Sequence, residues 1–240
     1  MPVKNLLMVF VCLACAPFAV AAHAAAGTTT ADTVVDAVLQ AYGGKAALDN
    51  IKAYRMEGTV TSVMRGSGAL VRTFARSDRL KITLDYPNHP ETRILDGGKG
   101  WRSDDKGNMG AVDGFLLASM VLQAARSDLP WLLDERRATI KLLAPMDGGR
   151  LQGLEIPLGG GLSLTVYADT ATGRIVRSSG VLDVPGMKTN FATDYSDFRT
   201  VDGVLFSFRE ANFASNQSTG DTVITRVTVN PALSEKDFRP

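Results

Sequence analysis

The chain is 240 residues long, with 26 lysines and arginines against 25 acidic residues and a formal net charge of +1. That balance leaves no basic stripe of the kind that nucleic-acid binding requires, so nucleic acid is not an expected partner. At 45% hydrophobic and 21% charged, the composition is that of an ordinary globular protein able to bury a core without disulfides or metals.

Residues 1–24 read as a cleavable signal peptide. Lys4 supplies the positive start, Leu6 to Val20 the apolar run, and Ala22-His23-Ala24 the small-residue cleavage site, with Ala24-Ala25-Ala26 as the alternative. The apolar run is shorter than the roughly 20 residues a membrane-spanning helix needs, although an uncleaved anchor is the competing reading. Both cysteines, Cys12 and Cys15, fall inside this segment, so the exported chain would contain no disulfide, thiolate nucleophile or cysteine metal site. Cys15 is not expected to carry a lipid anchor, because Cys12 occupies the position three residues before it where an aliphatic side chain is usual. Loss of Lys4 leaves 25 basic and 25 acidic residues, a formally neutral protein.

Residues 25–31 form a polar stretch expected to be disordered, and 32–240 a single domain. Asp32 is an N-cap candidate for a helix over Thr33–Tyr42, with Val34, Val35, Val38 and Leu39 on one face and Gly43-Gly44 ending it. A helical turn over Ala46–Ile51 follows. From Tyr54 the apolar period changes to two, the pattern of half-buried strands. Tyr54, Met56, Gly58 and Val60 alternate with Arg55, Glu57 and Thr59, and Leu80, Ile82, Leu84 and Tyr86 alternate with Arg79, Lys81, Thr83 and Asp85. Ala69–Arg76 is a further strand, and Glu91–Leu95 and Gly100–Ser103 form a hairpin around Asp96-Gly97-Gly98-Lys99.

The centre of the chain turns helical. In Gly114–Arg126 only Ser119 and Gln123 interrupt the apolar run Phe115–Ala125, so the helix must be covered on more than one side. Leu129–Arg137 is a second helical piece carrying Trp131, Leu132 and Leu133. Strands then resume over Thr139–Leu143, Arg150–Pro157, Leu162–Ala168, Arg174–Leu182, Thr189–Phe198, Val204–Ala214 and Thr222–Asn230, before a short helical turn and Phe238. The expected fold class is α+β: one antiparallel sheet of about eleven strands wrapped around the N-terminal helix and the central apolar helix, the latter either ordinary core or the lid of an apolar pocket.

Motifs for catalysis are scarce. The sole histidine after the signal segment, His89, sits in a Pro-bracketed segment and reads as an exposed loop residue. Asp104-Asp105 and Asp134-Glu135 read as solvated charges, and no serine has a G-x-S-x-G context. The clusters Gly97-Gly98, Gly148-Gly149 and Gly159-Gly160-Gly161 fit hairpin turns and lack the phosphate-loop pattern. No cofactor is implied.

Several stretches resemble the LolA/LolB-like lipoprotein-carrier superfamily of the Gram-negative periplasm. They are Ala41-Tyr42-Gly43-Gly44-Lys45-Ala46-Ala47-Leu48 with Ile51 and Glu57-Gly58-Thr59, the turn Asp96 to Trp101, and Val166-Tyr167-Ala168-Asp169 with Thr172-Gly173-Arg174. The C-terminal third adds Asp194-Tyr195-Ser196-Asp197-Phe198-Arg199, Val201-Asp202-Gly203-Val204, Val229-Asn230-Pro231 and Phe238-Arg239-Pro240. The resemblance implies a partial barrel enclosing an apolar cavity for acyl chains, with the central helix as lid or plug. It also implies carriage or sensing of lipids or lipidated proteins in the periplasm, without catalysis. The candidate cavity residues are Phe115, Leu116, Met120, Trp131 and Leu132. The expected partner is a hydrophobic ligand bound by a monomer. The alternatives are an envelope interaction or sensor module with a filled core, docking on an envelope protein, and a hydrolase with an unrecognised carboxylate or serine site.

Overall fold

The computed structural model describes residues 29–76, 78–87, 89–184 and 187–240. The expected signal peptide lies outside the described residues, as do residues 25–28 of the stretch 25–31; of the remainder, Thr30 caps the first helix and Ala31 opens it.

Helix α1 (Ala31–Ala41) is capped by Thr30 rather than Asp32, through a reciprocal pair in which the Thr30 side chain accepts from the Thr33 backbone and Thr33 Oγ1 accepts from Thr30 N. A threonine that far upstream captures free N–H groups as well as an aspartate does, which starts the helix two residues early. After α2 (Gly44–Asp49), the strands β1 (Ala53–Ser62), β2 (Gly66–Ala75), β3 (Arg79–Tyr86), β4 (His89–Asp96), β5 (Lys99–Ser103) and β6 (Met109–Val112) meander outward. Helices α3 (Gly114–Ser127) and α4 (Trp131–Glu135) follow. A second meander then runs through β7 (Lys141–Leu142), β8 (Leu151–Gly159), β9 (Leu162–Asp169), β10 (Ile175–Val184), β11 (Met187–Val201), β12 (Val204–Ala214) and β13 (Gln217–Val229).

All thirteen strands join one antiparallel sheet in the order β6-β5-β4-β3-β2-β1-β13-β12-β11-β10-β9-β8-β7. The strand absent from the sequence reading is β6, four residues long with a central glycine and little apolar alternation. The two meanders meet where β1 pairs β13, and a register shift at Glu57/Gly58 on that seam helps bend the sheet. Within the concave face, Tyr54, Phe74, Trp131 and Phe206 make an aromatic cluster, with Tyr54 at 5.5–6.3 Å from the other three ring centroids.

One end of the curved sheet is closed by α1, α2 and α4. Trp131 Nε1 donates to the Leu48 carbonyl at 2.8 Å, and Leu205 N donates to the Tyr42 carbonyl at 3.2 Å. Gly43 makes this junction tight: its φ is +115°, and a Cβ there would lie 2.1 Å from the Gly203 carbonyl oxygen. On the convex face, Phe238 of the terminal turn seals a small second core with Ala53, Ala75 and Ile94.

Helix α3 crosses the concave face and packs on β4 and β5 to one side and on β9 and β10 to the other. Two side-chain-free positions seat it. A Cβ on Gly100 of β5 would come within 3.0 Å of Leu117 Cδ1, and one on Gly180 of β10 within 2.7 Å of Leu122 Cδ2. The Tyr54 hydroxyl then fixes the end of the helix by donating to the Ser127 carbonyl at 2.5 Å. Gly180→Val should therefore push α3 off the sheet and destabilise the domain by about 1–3 kcal/mol, the usual range for overpacking, lowering Tm by roughly 2–4 °C per kcal/mol. Thermal unfolding followed by circular dichroism checks this, and an unchanged Tm would remove the seating role of Gly180.

Candidate functional site

The end of the sheet opposite the helical plug is not filled. A cavity of about 340 Å³ lies there, with walls from β1 to β4, the last turns of α3, and β11 to β13. Its lining reaches the turn-proximal residues Ser62, Tyr86, Phe213 and Thr219, so it opens at the rim formed by the β1–β2, β3–β4 and β12–β13 turns. A second cavity of about 200 Å³ lies under the start of α3, and a narrow one of about 50 Å³ runs toward the aromatic cluster.

The expected cavity residues divide between these places. Phe115, Leu116 and Met120 line the cavity under α3 together with Phe191, whose ring stands 6.1 Å from that of Phe115. Trp131 and Leu132 border none of these spaces. Both are buried in α4, where they form the plug.

The wall of the main cavity is mixed rather than purely apolar, a character the sequence reading did not anticipate. Arg72 on β2 makes a bidentate pair with Glu210 on β12, at 2.7 and 2.8 Å, across the β1–β13 seam. Burial alone would lower the Arg72 pKa and raise that of Glu210, but their mutual attraction outweighs it in both, so both remain charged. Nearer the rim, buried Glu91 is ringed by Arg65, Arg93 and Arg102. Burial works against its charge, yet Arg93 and Arg102 prevail and hold its pKa at about 2. The Arg102 Nε lies 2.9 Å from Glu91 Oε1 but forms no hydrogen bond to it, so this contact is electrostatic. Arg126, near the end of α3, borders all three cavities.

A signal for two of these groups was present in the strand phase. Arg72 falls between Leu70 and Phe74, and Glu210 follows Phe206 and Phe208, so each occupies the dry phase of its strand. A charged residue on that phase marks either a buried pair or a cavity wall. Among the carboxylates weighed from sequence, Asp104 and Asp105 are exposed, Asp134 pairs with Lys45 and Arg137, and Glu135 pairs with Arg76. His89 is 52% exposed at the start of β4, with its Nδ1 3.6 Å from exposed Asp105.

A separate buried acid sits where α3 ends. Asp128 is 4% exposed, its Oδ1 finds no partner among the described residues, and burial, reinforced by Glu135, raises its pKa to about 8. The folded carboxyl thus keeps its proton up to about pH 8, whereas the unfolded chain releases it near 3.8. Its stabilising contribution is full below the unfolded value and is lost as pH rises through about 8.

Two predictions follow from these buried charges. Glu210→Gln should cost about 3–5 kcal/mol by leaving Arg72 uncompensated, and Arg72→Met combined with Glu210→Gln should cost less than the sum of the single changes. Urea denaturation of the double-mutant cycle measures this. Asp128→Asn should flatten the loss of stability between about pH 4 and 8, as read by Tm across that range. A wild-type slope unchanged by the substitution would remove Asp128 as its source.

The sequence matches no family model and no curated protein. Solved structures do match. An outer membrane lipoprotein-sorting protein domain from Vibrio parahaemolyticus superposes with a TM-score of 0.55 at 13% identity, covering 87% of this chain and 97% of that one. A LolA superfamily protein from Nitrosomonas europaea gives 0.54 at 11% identity, over 88% and 98% of the two chains. A DUF1329 family protein from Desulfovibrio piger gives 0.54 at 14% identity, also over 88% and 98%. The likeness is one of fold: this chain has the open, helix-plugged antiparallel sheet of the LolA-like proteins.

Proposed function

We propose that the protein binds and carries a hydrophobic ligand, a lipid or the acyl chains of a lipoprotein, within the cavities of the curved sheet, without catalysis. The observation that carries this reading is the unfilled space itself: a cavity of about 340 Å³ open at the rim and a second of about 200 Å³ walled by Phe115, Leu116, Met120 and Phe191. Ligand sites typically span about 300–1,000 Å³ and combine an apolar lining with a few convergent polar groups. The apolar side chains Val63 and Met64 stand exposed, Met64 at 94%, on the β1–β2 turn beside the opening, where a greasy cargo would enter. The fold shared with a lipoprotein-sorting domain supports the same role, and the N-terminal export pattern supports a periplasmic site of action; the reading takes the protein as a monomer.

The test is recovery of cargo. The exported form, purified from its cells and extracted with organic solvent, should yield lipid by mass spectrometry, and the emptied protein should take up a fluorescent fatty acid. Phe115→Asp, at a half-buried position on the cavity wall, should weaken that uptake by about tenfold or more while the circular dichroism spectrum stays unchanged. Recovery of no lipid together with no uptake would overturn the reading in favour of a filled interaction module.

A further inference from the structure

The charges facing the cavities do not balance. Arg72, Arg93 and Arg126 line the main cavity against one carboxylate, Glu210, and Arg93 and Arg126 also line the cavity under α3, together with Arg102. Arg72 is matched by Glu210, and Arg93 by Glu91. Arg126 is different. Among the described residues no carboxylate lies within 4 Å of it, and its side-chain hydrogen bond goes from Nη1 to the Thr193 hydroxyl at 3.0 Å. That hydroxyl spends its own proton on Asn212 Oδ1, also at 3.0 Å, so Arg126 faces a neutral oxygen.

One turn earlier on α3, Gln123 lines the same two cavities, and its buried side-chain Oε1 has no partner among the described residues. Rotation of that amide exchanges the oxygen for an N–H donor at no cost in shape. An arginine with free donors and an unpartnered amide oxygen therefore converge where the two cavities meet. Buried charges are ordinarily paired, because desolvation of an isolated ion is expensive. The missing partner at this junction is an anion, and the arginine fork suits the two or three oxygens of a carboxylate or phosphate.

We propose that Arg126, assisted by Gln123, seats the oxyanion of an amphipathic ligand whose apolar part lies under α3 against Phe115, Leu116 and Met120. This deepens the carrier reading and rests on it: the cargo is an anionic lipid, held by its head at the inner end of the main cavity. The shared chemistry is the oxyanion, supplied by a fatty carboxylate, a phospholipid head or a free phosphate.

The experiment compares palmitate, hexadecanol and inorganic phosphate on the delipidated protein, each by displacement of a fluorescent fatty acid and by thermal shift. The wild type should bind palmitate at least about tenfold more tightly than hexadecanol, the gain expected of a hydrogen bond to a charged group in a dry site. Arg126→Met should abolish that preference by weakening palmitate far more than hexadecanol, and Arg126→Lys should keep part of it. Without ligand, Arg126→Met should raise Tm, because it removes a half-buried cation with no carboxylate partner among the described residues; a bracing role through Thr193 would lower it and count against the proposal. Equal affinity for palmitate and hexadecanol in the wild type overturns the oxyanion seat and leaves the carrier reading intact. Failure of all three probes overturns both. A thermal shift by phosphate alone, lost in Arg126→Met, supports the oxyanion seat with a free anion as its source and overturns the lipid reading.

Discussion

The pairing of β1 with β13 is the constraint from which the rest of the architecture follows. It joins the two ends of the folded chain in the middle of the sheet, so each meander must run outward and the centre of the chain is left at both edges, β6 and β7. Residues between those edges have to cross the concave face. Helix α3 makes that crossing: at 14 residues it spans about 21 Å, and it touches β4 and β5 on one flank and β9 and β10 on the other. A sheet of thirteen strands curls, and a curl this wide exceeds what its own inward side chains can fill. One transverse helix and one helical plug occupy part of the space. What remains is the cavity, a product of connectivity more than of any single residue.

The interior charges have to be understood within that leftover space. A buried arginine–glutamate pair such as Arg72–Glu210 contributes little net stability against a hydrophobic pair of the same volume, because desolvation cancels most of the attraction. Its geometric effect is more definite. The pair ties β2 to β12 from opposite sides of the β1–β13 seam, and so holds the curvature where the two meanders meet. Glu91 does similar work at the rim, gathering arginines from the β1–β2 turn, β4 and β5. Arg126 has no such ion-pair counterpart among the described residues; burial lowers its pKa, Tyr195 and Glu210 work against that, and Arg72 and Arg93 add to it. On the proposed reading, its position answers to what enters the cavity rather than to what closes it.

The architecture was largely legible in the sequence because antiparallel strands with one dry face write their phase directly into alternation. In β3, Leu80, Ile82, Leu84 and Tyr86 are all buried, as their spacing requires. The losses were local. The strand β6 follows the turn-forming run from Asp104 to Asn108 and holds only Met109-Gly110-Ala111-Val112, too few apolar residues to show a period. The candidate site was only half legible. Apolar content on α3 led to Phe115, Leu116 and Met120 on a cavity wall, but equal apolar content in α4 led to Trp131 and Leu132 in solid core. Hydropathy reports that a side chain avoids water; it cannot report whether the neighbour is another side chain or empty space. Arg72 and Glu210 were readable in principle, since strand phase places them inward, whereas Arg126 at the end of an apolar helix resembles an ordinary favourable charge for the helix C-terminus.

The mixed wall also changes what binding would consist of. Apolar burial contributes roughly 25 cal/mol per Å² before the costs of ordering a ligand, and of the two cavities the smaller one under α3 has the more apolar lining, with Phe115, Leu116, Met120 and Phe191 beside Arg93, Arg102 and Arg126. The larger space presents arginines, amides and hydroxyls from Arg72, Gln123, Thr193 and Asn212. On the proposed reading, affinity and selectivity would fall to different chambers: the tail would supply the energy, and the charged junction would decide which heads are accepted and which way round they lie. In the proposed complex a long acyl chain buried under α3 would have its head at Arg126, with the larger chamber and the rim beyond it. In that orientation a head larger than a carboxylate extends toward the opening instead of meeting the closed, plugged end of the sheet.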